Sequence, residues 1–305
     1  MKKDLLTLED IKKSEIFKVL DLATKLKKNP IGNQLNGKVF CLFFEKPSTR
    51  TRISFASGIQ QLNGKVVFLD KTVSQLSRGE TIEDTVKVLE RYVDAIIARV
   101  FSHETLEIMS KTVDIPVVNA LSDLTHPCQI LSDLLTIKER FGELEGLKLA
   151  YVGDGNNVCN SLLLGCSKVG IDISVACPKE FQPNTNIIHR AISYTKISKS
   201  DIDITDDPVK AVKNANIVYN DTFVSMGDDK EREKRLKIFL PKYQVNRKLL
   251  NFADSDVVYM HCLPAHRGEE VTYDVIDGSR SIVIDQAENR LHAQKALLVE
   301  IMKKT

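Results

Sequence analysis

The chain carries no excess of one charge: 43 Lys and Arg stand against 41 Asp and Glu in 305 residues, a formal net charge of +2. No global field then favours nucleic acid or an anionic membrane, and any anionic ligand must be held locally. No stretch approaches the roughly 20 apolar residues of a membrane span. Residues 1–16 are charged throughout and lack the apolar centre of a signal peptide. The expectation is a soluble, cytoplasmic protein. The six cysteines, Cys41, Cys128, Cys159, Cys166, Cys177 and Cys262, show neither metal-ligand nor disulfide-framework spacing. Neither a metal centre nor a disulfide is expected. Four of these cysteines sit in apolar surroundings, where cysteine acts as a small hydrophobe, and only Cys128 and Cys262 have polar neighbours. Internal repeats and low-complexity tracts are also missing.

What is present is an ordinary globular composition, 43% hydrophobic and 28% charged, in a chain too long for one comfortable core. Two domains are expected. After a helical segment over residues 7–28, apolar runs at 39–44, 66–69, 94–99 and 116–120 read as strands. Segments with helical spacing follow each of them. Pro127 suits the first turn of a further helix, which ends near Phe141-Gly142. The pattern then restarts with strands at 148–152, 171–177, 217–219, 257–260 and 281–285, and a last helix over about 288–304. This alternation predicts α/β architecture: two domains, each a parallel sheet flanked by helices, with the boundary in 135–146. The first domain is expected over 1–135, joined by the returning C-terminal helix 288–305, and the second over 146–287. The charged segment 228–235 reads as a solvated loop or helix face.

Phe44 to Arg52, Phe-Glu-Lys-Pro-Ser-Thr-Arg-Thr-Arg, marks the first chemistry. An apolar strand stops at Glu45-Lys46-Pro47, and a helical face of Ile53, Phe55, Ile59 and Leu62 begins. Hydroxyls of Ser48, Thr49 and Thr51 and the guanidinium groups of Arg50 and Arg52 crowd a helix start, whose unpaired N–H groups attract anions. This is a phosphate-type site. In parallel sheets, ligands bind beyond the carboxyl ends of the strands, near the point where strand order reverses. Arg99, Asn156-Asn157, Asp221, His261-Cys262 and Gln286 all fall after predicted strands, so two sheets facing across a cleft would let these places converge.

The motifs Ser48-Thr49-Arg50-Thr51-Arg52, Ser74-Gln75, His126-Pro127-Cys128-Gln129, Gly153-Asp154-Gly155-Asn156-Asn157, Asp221 with Ser225-Met226-Gly227, His261-Cys262-Leu263-Pro264-Ala265-His266-Arg267 and Arg290 run nearly end to end. In this order they resemble the aspartate/ornithine carbamoyltransferase family. The resemblance implies carbamoyl transfer from carbamoyl phosphate to an amine, without cofactor or metal, by two α/β domains that assemble as trimers. It places Ser48, Thr49, Arg50 and Thr51 on the phosphate, and Arg99, His126 and Arg290 around the carbonyl oxygen, where charge develops during attack. Gln129 would pair with the carbamoyl NH₂, with Cys262 and Leu263 beside it, and Gln75 would reach a neighbouring subunit's site. Asn157, Asp221, Ser225 and Met226 would hold the second substrate, with the Ser-Met-Gly loop closing over it. That loop, downstream of Asp221, points to L-ornithine as the amine. Asp221 and Cys262 would orient the attacking nitrogen, and the implied catalytic set is Arg99, His126, Asp221, Cys262 and Arg290.

Taken singly, several of these residues have plainer readings. Arg99 could be a salt-bridge partner, His126 a helix cap, Asp221 a turn cap and Cys262 a buried hydrophobe. His261 and His266 read as structural. Ala56 stands where many relatives carry an acidic residue, which puts only a local salt bridge in doubt. Gly153-Asp154-Gly155 could open a nicotinamide-binding loop, with Glu180 as the ribose acid. Val158 in place of the third glycine and the bulk of Asn156-Asn157 argue against it. Putrescine and acetylornithine stay open as alternative amines.

Overall fold

The structure is a computed structural model and describes residues 3–224 and 229–304. The chain divides into two compact units, residues 1–135 with 288–305, and residues 136–287.

In the first unit, a helix α1 (Lys13–Lys28) leads to strand β1 (Val39–Phe44), helix α2 (Thr49–Gln61) and strand β2 (Lys65–Asp70). Helix α3 (Ile82–Leu89), strand β3 (Ala95–Arg99), helix α4 (His103–Thr112), strand β4 (Val117–Leu121) and helix α5 (Pro127–Phe141) follow. The sheet is parallel, in the order β2-β1-β3-β4. Strand order therefore reverses between β1 and β3. The near-continuous apolar runs of β1 and β3 are what a sheet covered on both faces demands, and Phe40 to Phe43 and Ala95 to Ala98 are buried. Cys41, Phe43, Ile96 and Ala98 pack with Val86, Leu106 and Met109 of the flanking helices. Edge strand β2 differs: Val67 and Phe68 are 45% and 47% exposed.

In the second unit, strand β5 (Lys148–Val152), helix α6 (Asn157–Val169), strand β6 (Asp172–Ala176), helix α7 (Thr185–Ser198), strand β7 (Ile202–Thr205), helix α8 (Pro208–Val212) and strand β8 (Ile217–Asn220) alternate. Helices α9 (Arg232–Phe239) and α10 (Arg247–Leu250), strand β9 (Val258–His261), helix α11 (Tyr273–Ile276) and helix α12 (Val283–Met302) complete the chain. This sheet is also parallel, in the order β7-β6-β5-β8-β9, and reverses between β5 and β8. From Glu288 onward α12 belongs to the first unit.

Four expectations need correction. Residues 281–285 are not a strand: Ser281 makes one parallel bridge to Tyr259, and the β-branched run then enters α12, with Gln286 N–H donating to Ile282 O. Gln286 consequently lies inside a helix rather than at a strand end. The segment over residues 7–28 is two pieces, a 3₁₀ turn at Leu8–Asp10 capped by Thr7 and then α1, separated by extended backbone at Ile11. The charged segment is not merely solvated, because Arg235 in α9 is 6% exposed and ion-paired to Asp154. Sequence periodicity also missed α7 and β7, whose mixed polar and β-branched residues show neither clean period.

Candidate active site

Register fixes where the first unit's polar residues sit. Phe44 pairs with Asp70 on one side and with Arg99 on the other, so the loop after β1 and the end of β3 lie level at the carboxyl edge. Ser48 is the N-cap of α2, and its Oγ accepts from Thr51 N–H at 3.3 Å. The first-turn N–H groups of α2 face outward beside Thr49 and the half-buried Arg50, which has no ion-pair partner among the described residues. Arg52 is turned elsewhere: it pairs with Asp70 and stacks between Phe44 and Phe68, 4.7 and 4.9 Å from the ring centres. It does not crowd the helix start as the sequence suggested. Glu45 ties the edge together, accepting from Phe101 N–H at 2.8 Å and from Lys71 Nζ at 2.9 Å.

Behind this edge lies a buried cationic group. Arg99, His126 and Arg290 are 6%, 4% and 3% exposed. Burial, then the charges of Arg290 and Arg99, push the His126 imidazole well below its ordinary value. It is therefore held neutral, with a ring N–H able to donate without carrying a proton charge. Arg290 Nη1 donates to Gln129 Oε1 at 2.6 Å, and Nη2 to Thr51 Oγ1 at 3.4 Å. Gln294, in the amide orientation that satisfies both its ends, accepts from Arg290 Nη2 at 2.9 Å and donates to Ser54 Oγ at 2.7 Å. Nothing in the sequence singled out Gln294; only its place one turn after Arg290 on α12 could have done so. Cys128 faces inward, donating to Asn119 O at 3.3 Å, and burial raises its thiol to about 12. Gln75 opens a 3₁₀ turn and is exposed in the single chain.

In the second unit, Tyr219 pairs with Tyr151 and with Met260, and Asn220 with His261, so the ends of β5, β8 and β9 are level. Asp221 is 7% exposed. Its Oδ2 accepts from Asn156 Nδ2 at 2.8 Å, and its Oδ1 accepts from Thr222 N–H at 2.8 Å and from Cys262 Sγ at 3.0 Å. Asn156 also caps α6, its Oδ1 accepting from Val158 N–H and Cys159 N–H. Asn157 begins that helix, half-buried. Ser225, Met226 and Gly227 lie outside the described residues.

Cys262 is followed by Leu263 at a left-handed φ of 58°. Leu263 N–H donates to His261 Nδ1 at 2.8 Å, and His261 N–H donates to Gln286 Oε1 at 2.9 Å. His261 is thus structural in the strict sense, since it holds the loop that presents Cys262. Its Nε2 lies 3.4 Å from Glu270 Oε1. Burial raises the Glu270 carboxyl, but hydrogen bonds from His261 and from His266 N–H outweigh it and leave the group below its ordinary value. Asp221, His261 and Cys262 bring one metal-donor atom each within 4.8 Å of one another. The bonds just described already engage all three side chains.

A dinucleotide does not fit the Gly153 loop. A Cβ on Gly155 would stand 2.3 Å from Pro183 N and 2.4 Å from Gln182 C, so backbone fills the space a pyrophosphate needs. The helix N-terminus that would receive it is capped by Asn156, and Asp154 is committed to Arg235.

Each of the two units also has a counterpart among known proteins. Residues 3–139 match the carbamoyl-P binding domain of aspartate/ornithine carbamoyltransferase, and residues 145–301 match its Asp/Orn binding domain. An ornithine carbamoyltransferase of Bacillus subtilis (strain 168) is 52% identical, the match covering 99% of this chain and 94% of that protein. One from Cenarchaeum symbiosum (strain A) is 51% identical over 98% of each. The solved ornithine carbamoyltransferase of Pyrococcus furiosus is 48% identical, covers 99% of this chain and 97% of its own, and superposes with a TM-score of 0.95. On the strength of both halves matching in order within one chain, the protein is an enzyme of the aspartate/ornithine carbamoyltransferase family.

Proposed function

We propose that the enzyme transfers the carbamoyl group of carbamoyl phosphate to the side-chain amine of L-ornithine, giving L-citrulline and phosphate. The observation that carries this reading is the buried group of Arg99, His126 and Arg290, which Arg290 joins to Thr51 in the first turn of α2 and to Gln129. Ser48, Thr49, Arg50, Thr51 and the free N–H groups hold the phosphate, which is the leaving group. Arg99, His126 and Arg290 donate to the carbonyl oxygen as it gains charge, and Gln129 accepts from the carbamoyl NH₂. The amine nitrogen attacks the carbonyl carbon, the carbon–oxygen bond to phosphate breaks, and phosphate takes the proton. Asp221 and Cys262 orient the amine, Asn157 and the loop of Ser225 and Met226 hold the amino-acid end, and Leu263 lines the carbamoyl side. The reading calls for no cofactor, metal or nucleic acid. The carbamoyl-phosphate-binding domain is residues 1–135 with 288–305, and the ornithine-binding domain is residues 146–287.

A homotrimer, or a multiple of it, is part of the same proposal, with Gln75 contributed to a neighbour's site. Exposed Val67 and Phe68 on edge strand β2 and Val73, 82% exposed beside Gln75, support it, because bare apolar edges are normally covered. A cytoplasmic location and a place in arginine synthesis belong to the same proposal. Among the described residues no helix is long and apolar enough to cross a membrane. The test is product formation with ornithine, putrescine, acetylornithine and aspartate. Ornithine is expected to be carbamoylated fastest, and faster turnover of any other amine refutes the assignment. Light scattering should give three chains or a multiple of three.

A further inference from the structure

We propose that Asp133 is a positioning residue that sets the enzyme's preference for a carbamoyl over an acyl group, by locking the amide of Gln129. The proposal rests on the reading that the first unit binds carbamoyl phosphate. Asp133 is fully buried and Gln129 is 1% exposed, four residues apart on one face of α5. Gln129 Nε2 donates to Asp133 Oδ1 at 2.8 Å, while Gln129 Oε1 accepts from Arg290 Nη1 at 2.6 Å.

An amide has two different ends, and these neighbours distinguish them. A carboxylate accepts, and a guanidinium only donates. Turning the Gln129 amide over would set its oxygen against the Asp133 carboxylate and its NH₂ against Arg290, breaking both bonds. Only one orientation survives, with Oε1 on the Arg290 side. A carbonyl oxygen has two lone pairs, and Arg290 uses one of them. The other is a fixed acceptor for an N–H beside the group that polarises the carbonyl. A carbamoyl group supplies that N–H, whereas the methyl of an acetyl group leaves a buried acceptor unpaired. Asp133 acts on the substrate through Gln129.

The test compares carbamoyl phosphate, as KM, with acetyl phosphate and inorganic phosphate, as competitive inhibition constants. In Asp133→Ala the KM for carbamoyl phosphate should rise about tenfold. Both inhibition constants should stay within about twofold, since neither ligand offers the N–H. Asp133→Asn, which still offers an acceptor oxygen, should restore most of the discrimination. Asp133→Ser is a second variant, too short to reach Nε2. An equal rise in all three constants, or failure of both the Ala and Ser variants to fold, makes the role purely structural and overturns the proposal. An unchanged ratio of carbamoyl to acetyl phosphate in a folded Ala variant overturns it as well. If inorganic phosphate does not compete with carbamoyl phosphate in the unmodified enzyme, the reading of the site fails instead.

Discussion

The Cys262 thiol points at Asp221, with Sγ 3.0 Å from Oδ1. Together with Asn156 and the N–H of Thr222, it leaves the Asp221 carboxylate with little unused accepting capacity and one fixed orientation. An incoming amine therefore meets a carboxylate that is already oriented. Replacing Cys262 by Ser shortens the reach of the donor and changes the site's acidity. The expected result is a fall in kcat/KM for the amine of about tenfold to a hundredfold, the size of one hydrogen bond to a charged group. The pH profile should shift as well. Full activity with an unchanged profile in Cys262→Ser would remove Cys262 from the proposed mechanism.

The rejected dinucleotide reading supplies a second test. Gly155 is glycine because the backbone of 181–183 lies against it, not because a ligand does. Gly155→Ala should lower the melting temperature, by the equivalent of about 1 to 3 kcal/mol for overpacking. The unmodified enzyme should show no saturable binding of NAD(P). Saturable binding would reopen the loop as a cofactor site.

The site was legible in the sequence where chemistry sits on short contiguous motifs. The strand, loop and helix around Ser48, the buried strands 39–44 and 94–99, and Asp221 after an apolar run all carry local signals that the observed register repeats. What was not legible depends on partners far away in the chain. Arg235 looked like one more charge in a polar stretch, yet it meets Asp154, eighty-one residues earlier, and its guanidinium stacks 4.6 Å from the Phe181 ring centre. The run at 281–285 has the β-branched composition of a strand, but after one bridge to Tyr259 no second strand continues the pairing, and the helix takes over. Arg52 shared the composition of an anion site while its charge was already taken by Asp70.

Arg235 accordingly makes a stability prediction. Its Nε donates to Phe223 O at 2.6 Å, and the pair with Asp154 lies under the aromatic cluster of Phe223 and Phe239, stacked at 4.6 Å. Arg235→Met keeps much of the length but strands a buried carboxylate, which costs about 3 to 5 kcal/mol. Asp154→Asn with Arg235→Met together should cost less than the sum of the two single changes, a coupling that urea unfolding would measure. Additive losses would show that the ion pair contributes nothing of its own.

Lys295 is a buried cation satisfied by neutral acceptors. Its Nζ donates to Leu26 O at 3.3 Å, Pro30 O at 3.2 Å and Gln61 Oε1 at 2.9 Å, joining the end of α1 and the end of α2 to α12. Burial lowers its pKa below 10.5. Lys295→Met would leave these oxygens without their donor, so a loss of about 1 to 3 kcal/mol in unfolding free energy is expected. A variant as stable as the parent would mean that solvent replaces the ammonium.

His126 links the site to acid stability. Its folded value lies well below 6.5, through burial first and the Arg290 and Arg99 charges next. Between that lowered value and 6.5 the unfolded chain binds a proton that the folded chain does not. The stability difference is therefore fully present above 6.5 and is lost as the pH falls from 6.5 towards the folded value, at up to about 1.4 kcal/mol per pH unit for one histidine. His103, also lowered, through burial opposed by Glu107, Asp123 and Asp10, acts in the same direction. Urea unfolding from pH 8 to pH 5 should show stability falling below about 6.5. His126→Gln, which keeps a neutral donor but cannot titrate, should flatten that fall by one proton's worth. In the unmodified enzyme, kcat/KM for carbamoyl phosphate should show no loss attributable to His126 near pH 6.5, because the imidazole donating to the carbonyl is already neutral there. An equally steep fall in His126→Gln would place the titration on other groups and refute a neutral His126 as its source.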